Sequence, residues 1–410
     1  MHKLFLGIVS VYMFLKKLRI FAKRVSLNLA EFHLLFSSAH RALWLFIISN
    51  YVSVLFQLDW QNKLYLSPLT TEFGADITCG EMALASSLLQ GAQAEWALLC
   101  GNNPYVLTRC AQMLEEQTEI DFIDLNLGCP IDLIYQQGAG SGLLRRENAL
   151  GTIVRSMAGV LNLPLTLKTR TGVHSDKNVA HMLIPKFKEW GAAAITLHGR
   201  SREQRYTRIA DWDYINECAR LANPVPLFGN GDILSFEDYQ RHKEVILISY
   251  FPSVIVFFLL SAGVMIGRGA LMKPWIFQEI KEGNHYDISS RERFEILKKY
   301  ANYGLEHWGS DNKGVETTRR FMLEWLSFLH RYIPLGLLER PPQRINERPP
   351  PYVGRDDLET LMASPDCQSW VKISASCILP HLIWETIEMI LGPVPENFHF
   401  LPKHKANSWK

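Results

Sequence analysis

The chain has 410 residues, enough for one large domain with an appendage or for two ordinary domains. Its 48% hydrophobic and 20% charged residues exclude a disordered or collagen-like protein, and its seven scattered cysteines, with no C-x-x-C pair, argue against a disulfide scaffold or structural zinc site and favour a reducing compartment. The formal charge of +2 excludes a polycation, so any nucleic-acid binding must come from a local patch.

The first 62 residues form an atypical basic and apolar segment. Residues 1–60 carry seven Lys or Arg and two acids, and they contain apolar runs at 4–15 and 42–58. The first run is too short to span a bilayer, and the second is at the lower limit of length. Three interpretations stay open: a membrane anchor, a targeting peptide, or translated sequence that is not part of the folded protein. We favour the third, because a similar apolar anomaly occurs downstream.

Beyond residue 120 the chain alternates apolar strands with connections of helix length. Five strands are predicted, at 122–130, 165–170, 194–200, 226–233 and 263–269. Strands that alternate with helices form parallel sheets, and continuous apolar runs fit strands buried on both faces. The pattern predicts an α/β fold of the TIM (β/α)8 type over 63–284, followed by a helical domain over 285–410.

Each predicted strand ends in a polar residue. These residues are Asn126, Lys168, His198, Asn230 and Arg268. In a (β/α)8 barrel the carboxyl ends of the strands converge on one mouth, where active sites are built. A single polar residue at this point usually does no more than close its strand, but the fivefold pattern favours a shared site. A lysine at the end of an apolar strand also requires an anionic partner.

Two glycine-rich segments and one cysteine are further candidate site residues at this mouth. Residues 229–232 and 267–269 fall where barrel enzymes often place phosphate-binding backbone, after the last two strands. Cys129 lies between Gly128 and Pro130, which free the backbone and keep a helix from starting across it. An inert buried cysteine is the alternative. Beside Asn126 we favour a thiol that faces the mouth and, being protonated at neutral pH, can donate a proton.

Five motifs together resemble those of the tRNA-dihydrouridine synthases. They are LNLGCP (125–130), LKTR (167–170), LHGRSREQ (197–204), GNGD (229–232) and GRG (267–269). Further stretches at 64–70, 77–81, 308–311 and 344–350 are similar to a eukaryotic branch that reduces a uridine of the tRNA variable loop. Several independent motifs in the same order make the resemblance specific, and it covers most of the chain beyond residue 62.

The resemblance implies a flavoenzyme in which NADPH or NADH reduces FMN and a tRNA uridine becomes 5,6-dihydrouridine. Cys129 matches the cysteine that protonates C5 of the base. The positions that match substrate contacts are Asn126, Arg170 and Arg200. The positions that match flavin contacts are Pro68, Leu69, Thr70, Lys168, His198, Asn230, Gly231, Asp232, Gly267 and Arg268. The expected partner is tRNA, and no metal is expected.

The region after the barrel is predicted to be helical. Five apolar side chains recur at helical spacing and are predicted to form a core stripe: Phe321, Trp325, Phe328, Leu329 and Tyr332. Arginines outnumber the nearby acids, namely Arg319, Arg320, Arg331, Arg340, Arg344, Arg348 and Arg355. A solvated face is one interpretation. Next to a tRNA-modifying barrel we favour phosphate contacts, as the resemblance implies for the helical domain.

The early barrel departs from the family pattern. Seven residues separate Leu69 from Ile77, too few for the helix that joins parallel strands. The family's third strand, which carries a glutamine at the flavin, has no counterpart near Leu99, so the barrel is expected to be incomplete near strands 1 to 3. Apolar insertions are expected at about 245–260 and 374–390. A membrane span at the first insertion would tear the barrel and is disfavoured.

Three other functions stay open beside the flavin-dependent reduction of tRNA. One is a degenerate RNA-binding protein without flavin, and another is a flavin barrel that acts on a free pyrimidine. The third is a membrane-anchored protein that uses one of the apolar runs. We expect a cytoplasmic or nuclear monomer with no stable membrane association.

Overall fold

The computed structural model describes residues 53–57, 66–80, 82–90, 98–243, 247–251, 254–258, 262–338 and 352–378. The strands in this part of the chain are β1 (Ser53–Gln57), β2 (Ile77–Cys79), β3 (Met82–Leu84), β4 (Leu98–Cys100), β5 (Ile123–Asn126), β6 (Leu165–Arg170), β7 (Ala194–His198), β8 (Leu227–Asn230), β9 (Leu247–Phe251), β10 (Val254–Phe258) and β11 (Gly263–Ile266). The five strands that the sequence predicts beyond residue 120 correspond to β5, β6, β7, β8 and β11.

The α-helices, in the same described ranges, fall between and after these strands. Those of the barrel region are α1 (Leu66–Glu72), α2 (Ala85–Leu89), α3 (Pro104–Gln117), α4 (Asp132–Gln136), α5 (Glu147–Val160), α6 (Ala180–Glu189), α7 (Trp212–Ala222), α8 (Phe236–Lys243), α9 (Arg268–Met272) and α10 (Ile276–Glu282). Those that follow are α11 (Ser290–Trp308), α12 (Asn312–Leu329), α13 (Asp357–Ala363) and α14 (Cys367–Ile378). Short 3-10 helices occupy Gly140–Arg145 and Leu335–Leu337.

Nine of the strands form one parallel sheet in the order β2-β1-β11-β8-β7-β6-β5-β4-β3. The two ends of this order, β2 and β3, follow each other in the chain with residues 80 and 81 between them. Three Cα steps span at most about 11 Å, so the two edges of the sheet lie close together. The sheet therefore curls into a (β/α)8-type barrel in which β2 and β3 share one strand position, confirming the predicted fold class.

The expected incompleteness of the early barrel takes the form of short strands. β2, β3 and β4 have three residues each. β4 supplies the third strand position, where the sequence offers no counterpart to the family's glutamine. The position before β2 is occupied by β1, whose backbone pairs in parallel with β11 and β2. The structure thus places residues 53–57 of the atypical N-terminal segment in the sheet, and residues 1–52 lie outside the described part.

The apolar stretch before the last strand contains an antiparallel hairpin. β9 and β10 pair with each other and form a separate two-stranded sheet. The chain then enters β11, which lies between β8 and β1 in the barrel. No helix among the described residues is long and apolar enough to cross a bilayer. The predicted insertion therefore leaves the order of the barrel strands intact.

The region after the barrel is helical, as predicted, and packs through the predicted stripe. Phe321, Trp325, Phe328, Leu329 and Tyr332 are all buried. The Trp325 indole N–H donates to the carbonyl of Leu271 at 2.8 Å, which fixes α12 against α9 at the end of the barrel. Of the predicted insertion at 374–390, residues 374–378 continue α14 and the remainder lies outside the described residues.

Candidate active site

A cavity of about 600 Å³, including its open mouth, lies at the carboxyl ends of the later barrel strands. Its polar lining residues are Lys168, His198, Tyr206, Asn230, Asp232 and Arg268. Its apolar lining residues are Ile233, Leu234, Met265, Ile266 and Leu271, and the backbone of Gly231, Gly267 and Gly269 completes it. A lining of apolar side chains with a few convergent polar groups is typical of a small-molecule or cofactor pocket.

Parallel register explains why these side chains meet. Asn230 pairs with His198 on one side and with Met265 on the other. Lys168 lies two residues before Arg170, which pairs with His198, so the side chains of Lys168 and Arg170 point to the same face of β6. The Asn230 side chain donates to the carbonyl of Met265 at 2.8 Å and ties β8 to β11. The sequence prediction of one shared site is therefore realised for the residues at the ends of β6, β7, β8 and β11.

Asp232 forms the ionic centre of the cavity floor. Its Oδ2 accepts from Nη2 of Arg200 at 2.5 Å, and its Oδ1 accepts from Nη2 of Arg268 at 3.3 Å. The same Oδ2 accepts the backbone N–H of Ala210 at 2.8 Å. The carboxylate is thus engaged by two guanidinium groups. Asp232 therefore holds both guanidinium groups in place.

Gly231 makes the turn at the end of β8 possible. Its φ is +125°, and that of Asp232 is +56°. A Cβ at Gly231 would lie 2.7 Å from the Cβ of Ala210. The Trp212 indole N–H donates to the Gly231 carbonyl at 3.0 Å and holds the turn in place. The predicted glycine-rich segment is therefore a tightly packed turn that only glycine fits without strain.

His198 is a neutral, buried imidazole surrounded by cations. Burial lowers its pKa well below the ordinary value, and Arg170, Lys168, Arg200 and Arg268 lower it further. Its Nδ1 is buried and has no hydrogen-bond partner among the described residues. A buried polar atom without a partner costs free energy, and a ligand in the cavity would remove that cost. The cavity thus combines positive charge with an unused hydrogen-bonding group.

Tyr206 is a cavity residue that the sequence reasoning missed. The Arg268 guanidinium lies 4.2 Å from the centroid of its ring, within cation–π range. The ring also meets the His198 imidazole edge-on, with centroids 6.5 Å apart. The signal was an aromatic residue inside the arginine-rich run after β7, at 200–208.

Cys129 does not line this cavity, although the sequence analysis favours a thiol that faces the mouth. Its side chain is 5% exposed and packs in a small apolar cluster with Cys100, Ile134 and Ala139. The Oδ1 of Asn126 accepts the backbone N–H groups of Gly128 and Cys129 at 2.8 and 2.9 Å, and the Ser141 hydroxyl donates to the Cys129 carbonyl at 2.7 Å. Because Asn126 pairs with Lys168 across β5 and β6, the cysteine loop starts beside the cavity.

Cys100 is the other thiol of this cluster. Burial, and after it the nearby Cys129, raise the pKa of the Cys100 thiol to about 12. It therefore stays protonated at neutral pH and supplies no thiolate. Gly140 packs between the two, since a Cβ there would lie 2.8 Å from the Cβ of Cys129.

Arg170 and Arg200, which the sequence predicts to contact substrate, are both buried and hydrogen-bonded to the protein. Arg170 donates from Nε to the carbonyl of Gly128 at 2.7 Å and from Nη1 to that of Ser201 at 3.3 Å. Arg200 donates from Nε to the carbonyl of Arg208 at 2.5 Å, in addition to its Asp232 contact. Both arginines thus connect the loops that surround the mouth. Their contacts with a substrate stay a prediction.

Residues 68–330 match the protein family described as Dihydrouridine synthase (Dus). The chain belongs to the dihydrouridine synthase family. It is 55% identical over 377 residues to the tRNA-dihydrouridine(47) synthase [NAD(P)(+)]-like protein of Xenopus tropicalis and 54% identical over 378 residues to that of Homo sapiens. The tRNA-dihydrouridine(47) synthase [NAD(P)(+)] of Coprinopsis cinerea is 48% identical over 390 residues.

Each of these matches covers 86% of this chain and 54–55% of the relative. The chain therefore spans about half the length of the curated relatives it matches. Family membership confirms the resemblance that the five motifs indicated, and with it the barrel that the register of the sheet shows.

The residues that match the family's first-strand flavin contacts do not lie on a strand of the sheet. Pro68, Leu69 and Thr70 belong to α1, and none of them lines the cavity. Leu69 and Thr70 are fully buried, and the Thr70 hydroxyl donates to the carbonyl of Ser67 at 3.0 Å. The prediction that these residues lie on the first strand is wrong. β1 occupies that position in the sheet, and residues 66–72 form a helix that leads to β2. Flavin contact by these residues stays a prediction.

The candidate phosphate-contacting arginines of the helical region that the structure describes fall into two groups, those paired with carboxylates and those that lie over aromatic rings. Arg355 bonds Glu359 and Asp287, and the buried Arg319 lies 3.9 Å from Glu316. Arg320 and Arg331 lie over the rings of Phe321 and Phe328 near the surface. Arg340, Arg344 and Arg348 lie outside the described residues.

The described residues include no cluster of three or more metal-ligating side chains.

Proposed function

We propose that this chain reduces a uridine of the tRNA variable loop to 5,6-dihydrouridine, with FMN as cofactor and NADPH or NADH as reductant. The observation that carries the proposal is the cation-rich cavity at the ends of β6, β7, β8 and β11, in a member of the dihydrouridine synthase family. The names of its relatives give tRNA and position 47 as their substrate and NAD(P) as their coenzyme. The proposal extends those names to this chain.

The residues of the cavity fit FMN. Arg268 and Lys168 offer positive charge to a phosphate and to an anionic ring, and the backbone of Gly231 and Gly267 allows close approach. In the part of the chain that the structure describes, Nδ1 of His198 has no hydrogen-bond partner. Apolar side chains such as Met265 and Leu271 suit a ring face. These residues would hold the cofactor. FMN, when bound, supplies the electron transfer that no side chain can perform.

Two residues of the β5 loop would act on the base itself. The Oδ1 of Asn126 is taken by two backbone N–H groups, which fixes the amide so that its Nδ2 is the group that donates to a uracil carbonyl. The Cys129 thiol would give its proton to C5 of the base. The target base must first leave the RNA stack, which costs a few kcal/mol.

Mass spectrometry of tRNA treated with protein, FMN and NADPH tests this function. We expect a gain of two hydrogen atoms at one uridine with the wild-type protein and with Cys110→Ala, a control that removes another buried cysteine, in α3. Cys129→Ala should lower the yield about 100-fold or more, as loss of a general acid does. A wild-type protein that binds FMN but leaves tRNA unchanged would refute the function. Free uridine as a parallel substrate separates it from a reductase of free pyrimidines.

A flavin-free RNA-binding protein is the second candidate. The observation that favours it is the position of Pro68, Leu69 and Thr70 in α1, away from the cavity, together with the three-residue early strands. The absorbance spectrum of the purified protein distinguishes the two. Absence of the flavin band even after incubation with excess FMN, with salt-sensitive tRNA binding retained, would support this second function.

A further inference from the structure

The loop that carries Cys129 is fixed on both sides by arginines from two neighbouring strand ends. Before the cysteine, Arg170 at the end of β6 donates to the carbonyl of Gly128. After the cysteine, the chain enters α4, which begins with Asp132. Arg202, from the segment after β7, contacts α4 twice. Its Nη2 donates to Oδ1 of Asp132, and its guanidinium lies 3.9 Å from the ring centroid of Tyr135.

The environment of Arg202 favours this double contact over a free surface charge. Its side chain is 15% exposed. Its backbone N–H donates to the carbonyl of Gly172 at 3.0 Å, which ties it to the segment after β6. A planar guanidinium can stack on a ring and bond a carboxylate at once, which an ammonium cannot do. Tyr135 is in turn held at its hydroxyl by Nη1 of Arg145 at 2.9 Å.

A second arginine of the same segment offers a comparison. Arg205 also reaches Oδ1 of Asp132, at 3.4 Å, but its side chain is 52% exposed. No ring contact accompanies this ion pair among the described residues. Exposed single ion pairs contribute little to stability. Arg202 and Arg205 therefore share a carboxylate but differ in burial and in contact with the ring.

We propose that Arg202 is a positioning residue for Cys129. By joining α4 to the segment after β7, it holds the cysteine loop beside the cavity. The effect of Arg202 on uridine reduction rests on the proposed function. Its stabilisation of the cysteine loop can be measured in the protein alone, without tRNA or flavin. Arg202 lies within the LHGRSREQ motif (197–204) but is not among the positions that match flavin or substrate contacts. It acts through the loop rather than on the substrate.

Alkylation of Cys129 by iodoacetamide, followed by peptide mass spectrometry, tests the hold on the loop without tRNA or flavin. A buried thiol reacts through local opening. Arg202→Met should raise the rate at Cys129 about tenfold, the size expected for loss of a partly buried cation–π contact and an ion pair. Arg205→Met should leave it near the wild-type rate. Arg202→Lys, which keeps the charge but loses the planar stack, should give an intermediate rate.

Buried cysteines elsewhere in the barrel serve as internal references in the same experiment. Cys110 in α3 and Cys218 in α7 are both fully buried and distant in sequence from the loop. An equal rise at Cys129, Cys110 and Cys218 would mean that Arg202→Met weakens the whole fold, and would overturn the proposal. An unchanged rate at Cys129 would overturn it as well.

Steady-state kinetics then separate positioning from RNA binding. Arg202→Met should lower kcat about tenfold and leave KM for tRNA within about twofold, because a positioning residue acts after the substrate is bound. A raised KM with unchanged kcat would show that Arg202 contacts the RNA, and would overturn the proposal. Absence of dihydrouridine even with the wild-type protein would refute the proposed function, while a selective rise at Cys129 would still support the hold on the loop.

Discussion

In the later half of the barrel, formed by β6, β7, β8 and β11, the strands are four to six residues long. In the early half, β2, β3 and β4 have three residues each. The longer strands carry Lys168, His198 and Asn230 at their ends, and all three line the cavity. No residue of β2, β3 or β4 lines it. The comparison indicates that β6, β7, β8 and β11 and the turns after them build the cavity, whereas the three-residue strands contribute no lining residue.

The two halves also differ in how they hold their loops. In the later half, Asp232 joins two arginines, and Trp212 and Asn230 add bonds to neighbouring backbone. In the early half, α1 is fixed from outside the barrel, where Glu72 bonds Lys299 and Tyr303 of α11. We infer that the later half is the rigid platform of the site and that the early half relies on the helical region for its order.

Removal of one buried leucine from each half gives the largest expected difference. Leu167 and Leu99 are both fully buried, and Leu167 lies within six-residue β6, paired to Leu125 and Ile195. Leu167→Ala should lower the free energy of unfolding by about 4 kcal/mol and Leu99→Ala by about 2 kcal/mol, because a short strand collapses more readily into the space. Urea denaturation midpoints measure both. Equal losses would contradict the difference between the halves.

A pair of glycines with positive φ gives an intermediate effect. At Gly231 (φ +125°) a Cβ would meet the Cβ of Ala210 at 2.7 Å, whereas at Gly74 (φ +92°) it would meet the flexible side chain of Lys281 at 3.4 Å. Gly231→Ala should cost about 3 kcal/mol of stability and Gly74→Ala about 1 kcal/mol. Thermal unfolding of both variants checks this. A larger loss for Gly74→Ala would reverse the assignment of the rigid half.

The smallest expected effect is a pH dependence that arises in the later half. Burial, and next Arg241, lower the pKa of His242 to about 4, and burial with surrounding cations lowers that of His198 as well. Between pH 6.5 and 4 the unfolded chain binds protons that the folded protein does not, so stability falls as the pH falls.

His242→Phe provides the matched test of this pH dependence. The His242 ring stacks on Trp212 with centroids 4.2 Å apart, and phenylalanine keeps an aromatic ring there without the titration. The drop in Tm between pH 7 and pH 5 should be smaller in the variant than in the wild-type protein. An identical drop would show that His242 does not contribute.

The strands of the later half and their polar ends could be predicted from the sequence, because the hydrophobic patterns that indicate them are local. Apolar runs that end in Lys168, His198 and Asn230 form strands wherever they pair, and parallel register then brings their ends together. The position of the short early strands could be predicted from the sequence only in part. Which segment occupies the first strand position depends on long-range pairing of β1 with β11, and the LSPLT stretch that resembles the family's first strand became α1 instead.

Side-chain partners were the least predictable part of the site. A strand-end pattern identifies Asp232 as a site residue, but only the fold shows that Arg200 and Arg268 meet on its carboxylate. The same holds for Arg170, whose bonds to two loop carbonyls depend on the course of three separate loops. Tyr206 lies in a connecting segment without periodicity and therefore gave no strand or helix signal.

The most direct test of the account is a titration of the apoprotein with FMN, followed by the change in flavin fluorescence. It compares one residue of the cavity with one that the family pattern, but not the fold, assigns to it. Arg268→Gln should weaken FMN binding tenfold or more, since it removes a charge-assisted contact worth about 1.5–3 kcal/mol. Thr70→Val should bind within about twofold of the wild-type protein, because Thr70 lies in α1 outside the cavity. Wild-type affinity in Arg268→Gln, or an equal loss in Thr70→Val, would contradict the proposal that the later half of the barrel forms the cofactor site.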